Sequence, residues 1–230
     1  MLLFYCGVCV LASLTIENYV KAIYQISSGQ DDKPASTGQL AESLAVSPST
    51  VTSMLKTLSE SGLATYVKYG GAELTPTGRA LALRVLRRHR LIELFLSQTL
   101  KLTWDEVHEE AENMEHAVSD LLIDRIDAYL NYPATDPHGD PIPKADGTLA
   151  TPLTIRLSEL TEGEHFRIER VLDQAPEFLR FLAETGLKLG VQGRVAANRR
   201  EAGVITLQVA DATATLSVPV AQKVLVSRQS

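Results

Sequence analysis

Five of the ten prolines in the chain fall within one stretch, NYPATDPHGDPIPKADGTLATP, at 131 to 152. Proline lacks the backbone donor and clashes with the preceding turn, so no helix runs through such a segment, and no central strand either. The chain must therefore fold as separate parts on either side of it. Before it, apolar residues recur at helical spacing; after it, the short runs LTIRL, HFRIERV, GVITLQVA and ATLSVPV alternate with glycine-containing turns and read as strands. Within the β-rich part, PEFLRFLAETGLKLG opens with Pro176, sets Phe178, Leu179, Phe181 and Leu182 on one face and stops near Gly186, which predicts one short helix. A length of 230 residues accommodates two or three such domains.

The first helix is expected from about Thr15, with Ile16, Tyr19, Val20, Ile23 and Tyr24 forming a buried stripe. The following segment, STGQLAESLAVSPSTVTSMLKTLSESGLATYVKYGGAELTPTGRAL, reads as helix, turn, helix and a hairpin closed near Gly70-Gly71, a winged helix-turn-helix pattern. Leu40, Ala41 and Leu44 face inward on the support helix, Ala45-Val46-Ser47 makes the turn, and Ser47 or Ser49 caps the second helix. That helix holds Val51, Met54, Leu55 and Leu58 inward and presents Ser49, Thr50, Ser53 and Lys56 near its amino-terminal end, the end that enters a major groove. Lys56 and Lys68 suit phosphate, Ser and Thr suit base edges, and Arg79, Arg84, Arg87, Arg88 and Arg90 extend the basic side. The same shape also serves as a protein-binding module, and runs of arginine are often simply solvated.

The net charge of -6 argues against nucleic acid as a partner, but the charge is unevenly spread. Residues 14 to 100 hold nine Lys and Arg against seven Asp and Glu, whereas residues 101 to 140 hold two against eleven, a local -9. Within the acidic zone lies HEEAENMEH, His108 to His116, on a helix expected to begin near Thr103 and to run through WDEVHEEAENMEHAVSDLLIDRIDAYL. On one helix His108, Glu112, Glu115 and His116 share a side, while Glu109 and Glu110 point elsewhere. The two histidines would stand roughly 12 Å apart, too far to hold one ion, so two sites are the better geometry. Glu112, Glu115 and His116 form one group; His108 joins His89 and Glu93, themselves four apart on the preceding helix, in the other. Carboxylates and imidazoles without thiolate suit Mn²⁺ or Fe²⁺. The bland alternative is an acidic face repelled into water, and the matching His89 and Glu93 pair weighs against it.

Enzymatic readings fit the spacing poorly. After His108-Glu109-Glu110-Ala111 comes Glu112, so the second histidine of a zincin is missing, and Glu112 to His116 is one residue too long for a di-iron Glu-x-x-His pair. Neither a glycine-rich phosphate loop nor a nucleophile-base pair is evident. The opening MLLFYCGVCVLAS is apolar for only about a dozen residues, against ~20 for a bilayer-crossing helix, and it lacks a signal peptide's basic start. It is expected to be a floppy arm or an over-extended start. Cys6 and Cys9 are the only cysteines, so no disulfide framework staples the body of the chain, which fits a reducing cytoplasm. Their Cys-x-x-Cys spacing is compatible with metal or redox chemistry.

With a winged helix followed by LTPTGRALA, RRHRLIE, VHEEAENMEH and DPIP, the chain resembles the diphtheria toxin repressor family of metal-dependent transcription regulators over roughly residues 14 to 143. The resemblance implies a mainly α chain with β, made of a winged helix-turn-helix domain at 14–76, a helical metal-binding and dimerisation domain at 77–140 and an SH3-like β-domain at 153–230; composition adds an apolar extension at 1–13 and a proline-rich linker at 141–152. It also implies an ancillary metal site at His89, Glu93 and His108 and a primary site at Glu112, Glu115, His116 and Asn18, two ions per subunit. Glu112 stands where iron-sensing members have cysteine, which resembles manganese-sensing members; Asn18 stands where those have Asp or Met and offers a neutral amide oxygen. Some members send ligands from the third domain, for which Asp173, Gln174 and Glu177 in VLDQAPEF are candidates beside the plain reading of an acidic helix start. The expected function is that of a cytoplasmic homodimer that senses Mn²⁺, or alternatively Fe²⁺, and then binds a palindromic operator to repress metal-uptake genes. It has no membrane partner and no small-molecule substrate. Asn18 precedes the recognition unit and the other primary ligands follow it, so an ion joining them would set the spacing of two recognition helices against DNA half-sites. A winged-helix regulator that works without metal is the rival reading.

Overall fold

Ser36 and Ser47 fix the beginnings of the two short helices that most shape the first part of the chain. In the computed structural model, which describes residues 14–150 and 152–229, the Ser36 hydroxyl accepts from the Gln39 amide while the Gln39 side chain accepts from Ser36 N, a capping box that starts helix α2, Thr37–Ser43. Ser47 caps α3, Pro48–Glu60, by accepting from Thr50 N, and Pro48 sits in the first turn where its missing donor does no harm. Between them Ala45 adopts a positive φ of 52° and makes the tight turn. Helix α1, Leu14–Ser28, packs on α2, and strands β1, Ala64–Val67, and β2, Gly71–Leu74, pair antiparallel as the wing. Tyr19, Val20, Ile23, Leu40, Val51, Leu55 and Leu58 are buried, as the apolar spacing predicts. The extension at 1–13, with Cys6 and Cys9, lies outside the described residues.

Helix α4, Pro76–Phe95, starts against the wing: a Cβ on Gly78 would lie 1.9 Å from the Leu63 carbonyl oxygen, so only glycine fits there. The chain forms two compact units that meet in sequence at Leu86 and Arg87. In the second unit, Leu91, Ile92, Leu94, Leu96, Val107, Ala111, Ile123 and Ile126 make one apolar cluster, joined by Ile142 from the proline-rich stretch. A π-helical turn over Leu96–Leu100 and Lys101 at a φ of 61° end the long helix.

Three expectations are corrected in this unit. The acidic segment is two helices, α5 at Val107–Met114 and α6 at Asp120–Tyr129, because the Ser119 hydroxyl accepts from Leu122 N and begins a new helix after the turn at 115–118. The helix expected to begin near Thr103 begins only at Val107; the Thr103 amide and hydroxyl donate to the Glu106 carboxylate at 2.8 and 2.7 Å in a turn ahead of it. Arg87, Arg88 and Arg90 are buried rather than part of an outward basic face, since α6 supplies Asp124 and Asp127 to Arg87 and Asp120 to Arg88.

The proline-rich stretch is not wholly a tether. Asp136 and His138 to Pro143 are buried, and only from Lys144 does the chain become mainly exposed. Beyond it, six strands form an antiparallel sheet in the order β3-β8-β4-β5-β6-β7: β3 Ile155–Arg156, β4 His165–Val171, β5 Gln192–Arg199, β6 Val204–Val209, β7 Ala212–Ser217 and β8 Val224–Gln229. Helix α7, Pro176–Glu184, closes the core with Leu179 and Leu182, while Phe181 remains 39% exposed. Trp104, ahead of α5, packs against this β-domain core.

Candidate metal centre

The second half of α4 carries His89 and Glu93 one turn apart, both buried. Two charged groups so placed need compensation from elsewhere in the chain. His89 is the hub. Its Nδ1 lies 2.6 Å from Glu115 Oε2 and 3.7 Å from Glu112 Oε1; its Nε2 lies 3.0 Å from Glu93 Oε1 and 3.1 Å from His108 Nδ1. His108 Nδ1 is also 3.2 Å from Glu93 Oε1, and His116 Nε2 is 3.1 Å from Glu115 Oε1. His89, Glu93 and His108 thus form one group able to converge on an ion, as their spacing predicts. A second group is His89, Glu112 and Glu115, so His89 borders both. Glu115 is fully buried although it follows the last residue of α5, because the turn there swings its carboxylate towards His89.

A third group is absent from the sequence reading. Asp136 and His138, on the buried proline-rich strap, meet Glu93. Their approach follows from backbone bonds: Asp136 Oδ1 accepts from His138 N at 2.8 Å and from Asp140 N at 2.9 Å, a tight loop that needs no helix. His138 Nε2 donates to the Trp104 carbonyl at 2.6 Å, which leaves Nδ1 facing Glu93 Oε1, 3.8 Å away. The signal available in the sequence is a histidine between two aspartates, Asp136-Pro137-His138-Gly139-Asp140, in a segment too rich in proline to be an ordinary acidic face.

Burial alone would raise the Glu93 carboxyl, but hydrogen bonds with His108 and His89 and the nearby His138 ring hold it well below the ordinary range. Asp136 goes the other way, pushed up to about 7 by burial and by repulsion from Asp140 and Glu93. For His138 burial works against the charged form, yet Glu93 and Asp136 outweigh it and the ring is raised. Carboxylates and imidazoles therefore stabilise one another only where protons, or a cation in their place, are shared among them. A divalent cation fits the residues present. Glu93 Oε2, Asp136 Oδ2 and His138 Nδ1 are buried without a hydrogen-bond partner, a state that costs ~1–3 kcal/mol per group unless something else engages it, and every donor is oxygen or nitrogen.

The other expected site residues are dispersed. Asn18 lies on α1 in the first unit, its Oδ1 buried and without a hydrogen-bond partner. Asp173 pairs with Lys223 at 2.6 Å and accepts from Ala175 N, Glu177 lies 3.4 Å from Arg180, and Gln174 donates to Asp140 Oδ2 at 2.7 Å; none of the three stands in the groups above. On α3, Ser49, Thr50, Ser53 and Lys56 are exposed, whereas the Ser47 hydroxyl is engaged as the cap and with Ser49 and Thr50 at 2.8 Å. Lys68, on the wing turn, sits over the ring of Tyr69, which is 95% exposed.

Comparison with known proteins gives three family matches along the chain. They are "Iron dependent repressor, N-terminal DNA binding domain" over residues 13–72, "Iron dependent repressor, metal binding and dimerisation domain" over 75–144, and "FeoA domain" over 155–228. The Iron-dependent repressor IdeR of Mycobacterium leprae is 35% identical over 156 residues, 65% of this chain and 67% of that protein. The Diphtheria toxin repressor of Corynebacterium efficiens is 30% identical over 188 residues, 77% of this chain and 81% of that protein. A solved structure of a manganese-dependent transcriptional repressor in complex with manganese superposes with a TM-score of 0.86 at 41% identity, covering 93% of this chain and all of that one.

Proposed function

The chain belongs to the iron-dependent repressor family of metal-dependent transcription regulators, and from that premise we propose that it is a manganese-responsive repressor, a cytoplasmic homodimer that binds duplex operator DNA and turns over no substrate. The observation that carries the reading is the convergence of His89, Glu93, His108, Glu112 and Glu115, on two segments of chain, into a largely buried cluster of oxygen and nitrogen donors. Bound there, a divalent ion supplies positive charge that the buried carboxylates otherwise lack. Two ions per subunit are proposed: one with His89, Glu93 and His108, the other with Glu112, Glu115 and His116. Asp136 and His138 extend the first set through Glu93. Because His89 borders both sets, the two affinities are expected to be coupled.

Oxygen from Glu112, in place of sulfur, supports manganese. The iron in the mycobacterial relative's name supports Fe²⁺ as a second reading with the same donors. Ser49, Thr50 and Ser53 are proposed to face base edges, with Lys56 and Lys68 on phosphates; Ser47 contributes mainly as the cap that aligns them. The test is anaerobic fluorescence anisotropy on duplex DNA from upstream of metal-uptake genes, titrated with Mn²⁺, Fe²⁺ or chelator. Tighter binding with Mn²⁺ than with chelator is expected, and the ratio of Mn²⁺ to Fe²⁺ midpoints decides between the two ions. Binding indifferent to all three, or intact in a Glu115→Ala, His116→Ala double variant, would overturn metal control and leave a metal-independent winged-helix regulator.

A further inference from the structure

Asp140 takes no part in the metal-ligating groups, yet its carboxylate is buried and gathers side chains from two elements distant in sequence. Arg170 of β4 pairs with its Oδ1, Gln174 beyond β4 donates to its Oδ2 at 2.7 Å, and Arg90 of α4 approaches the same Oδ1 at 3.6 Å. The backbone repeats the arrangement. Arg90 Nη1 donates to the Pro141 carbonyl at 2.5 Å, Val171 N donates to the His138 carbonyl at 2.9 Å, and Asp136 N donates to Asp140 O at 3.0 Å. Gly139 lies so close to β4 that a Cβ there would fall 2.0 Å from the Glu169 carbonyl oxygen, and its φ of 84° independently favours glycine. The strap at 136–141 is thus held between α4 and β4 by one carboxylate that two arginines share.

We propose that Asp140, with Arg90 and Arg170, is a positioning clamp that couples docking of the β-domain to cation binding at Glu93, Asp136 and His138. The inference rests on the metal-dependent reading above. Glu93 lies three residues after Arg90 on α4, and His138 lies two residues before Asp140 on the strap, so the clamp fixes the separation of the donors that must converge. Asp136 Oδ2 and His138 Nδ1 have no hydrogen-bond partner there, and Asp136 Oδ2 is approached only by Arg90 Nε, itself part of the clamp, at 3.7 Å. Their aim therefore depends on the loop backbone and on what grips it. Arg170 and Gln174 both belong to the β-domain, so undocking that domain releases one side of the loop and leaves Asp140 facing only Arg90. Coupling is reciprocal: if docking raises cation affinity, a bound cation must strengthen docking by the same factor.

The experiment uses the full chain and Mn²⁺ alone, with the electron paramagnetic resonance signal of free Mn²⁺ giving stoichiometry and affinities, and hydrogen exchange at the Val171 amide reporting docking. Mn²⁺ is expected to slow exchange at Val171 in the unaltered chain. Arg170→Ala is expected to weaken one class of Mn²⁺ site at least tenfold, leave the other within twofold and abolish the slowing, whereas Arg170→Lys, which keeps the charge, restores most of both. Gln174→Ala, which leaves every charge in place, should weaken the same class severalfold and decides the matter if Arg170→Ala fails to fold. Unchanged affinities in these variants, or equal weakening of both classes, would overturn the clamp while leaving the metal-dependent reading intact. Absence of Mn²⁺ binding by the unaltered chain would overturn the manganese-responsive reading itself.

Discussion

Helix α3 and the second half of α4 are both rich in polar side chains, and they use them in opposite ways. On α3 the outward residues are exposed and their hydrogen bonds are local: Thr52 donates to Pro48 O at 2.9 Å and Ser53 to Ser49 O at 3.1 Å. On α4 every residue from 85 to 94 is buried, and Arg87, Arg88, His89 and Arg90 reach partners 26 to 51 residues away. An exposed cation such as Lys56 remains available to an outside partner, while a buried one already has an acceptor within the chain. The acidic zone at 101 to 140 is consequently less repellent to DNA than its net charge suggests, since Asp120, Asp124, Asp127, Asp136 and Asp140 answer arginines of α4.

The contrast is broken most directly at the buried end. Glu115→Ala removes a fully buried carboxylate from His89 and is expected to abolish Mn²⁺-stimulated operator binding, with apparent metal affinity falling beyond the ~10–100-fold typical of residues that only orient ligands. Anisotropy against Mn²⁺ checks it, and an unchanged midpoint would mean that the buried polar face of α4 is not a metal centre. Arg87→Ala comes next. Removing one partner of a fully buried pair costs ~3–5 kcal/mol, but Asp124 is 62% exposed and regains water, so about 2 kcal/mol of stability should be lost, read from the urea midpoint. Operator affinity of the folded, Mn²⁺-saturated protein should not change; a loss there would return Arg87 to the basic face on which the sequence pattern placed it.

What can be read from the sequence divides along the same line. The winged unit is legible because its signals act over three or four residues: Ser47 caps, Ala45 turns, and Val51, Leu55 and Leu58 repeat at helical spacing. The trio His89, Glu93 and His108 is legible because two members share a helix face and the third comes from the neighbouring acidic run. The break at 115–118 is harder to see, since His108 to His116 keeps helical composition throughout and only Ser119 hints at a new start. Asp136 and His138 stay hidden for a different reason. Proline correctly excludes helix and strand, yet it does not exclude burial, and burial of this loop depends on Arg90 and on β4, which lie 46 residues before and 29 residues after Asp136 at their nearest. Strands β5 and β8 escape because alternation in QGRVAANR and VLVSRQ is diluted by polar and small residues.

At the exposed end smaller effects are expected, and their kind matters more than their size. Ser47→Ala should lower stability by about 1 kcal/mol through loss of the cap on α3, measurable as a shift in urea midpoint. Lys56→Ala should leave stability unchanged, because its side chain is exposed and lies outside the buried core. If Lys56 meets one phosphate, operator affinity should fall severalfold and almost equally for matched and mismatched sequences, since phosphate carries no base identity. The slope of log affinity against log salt should then shrink by about 1, the counterion release of a single contact. A change confined to one base position, with the salt slope intact, would instead make Lys56 a base reader, and phosphate contacts would have to come from other exposed cations such as Lys68.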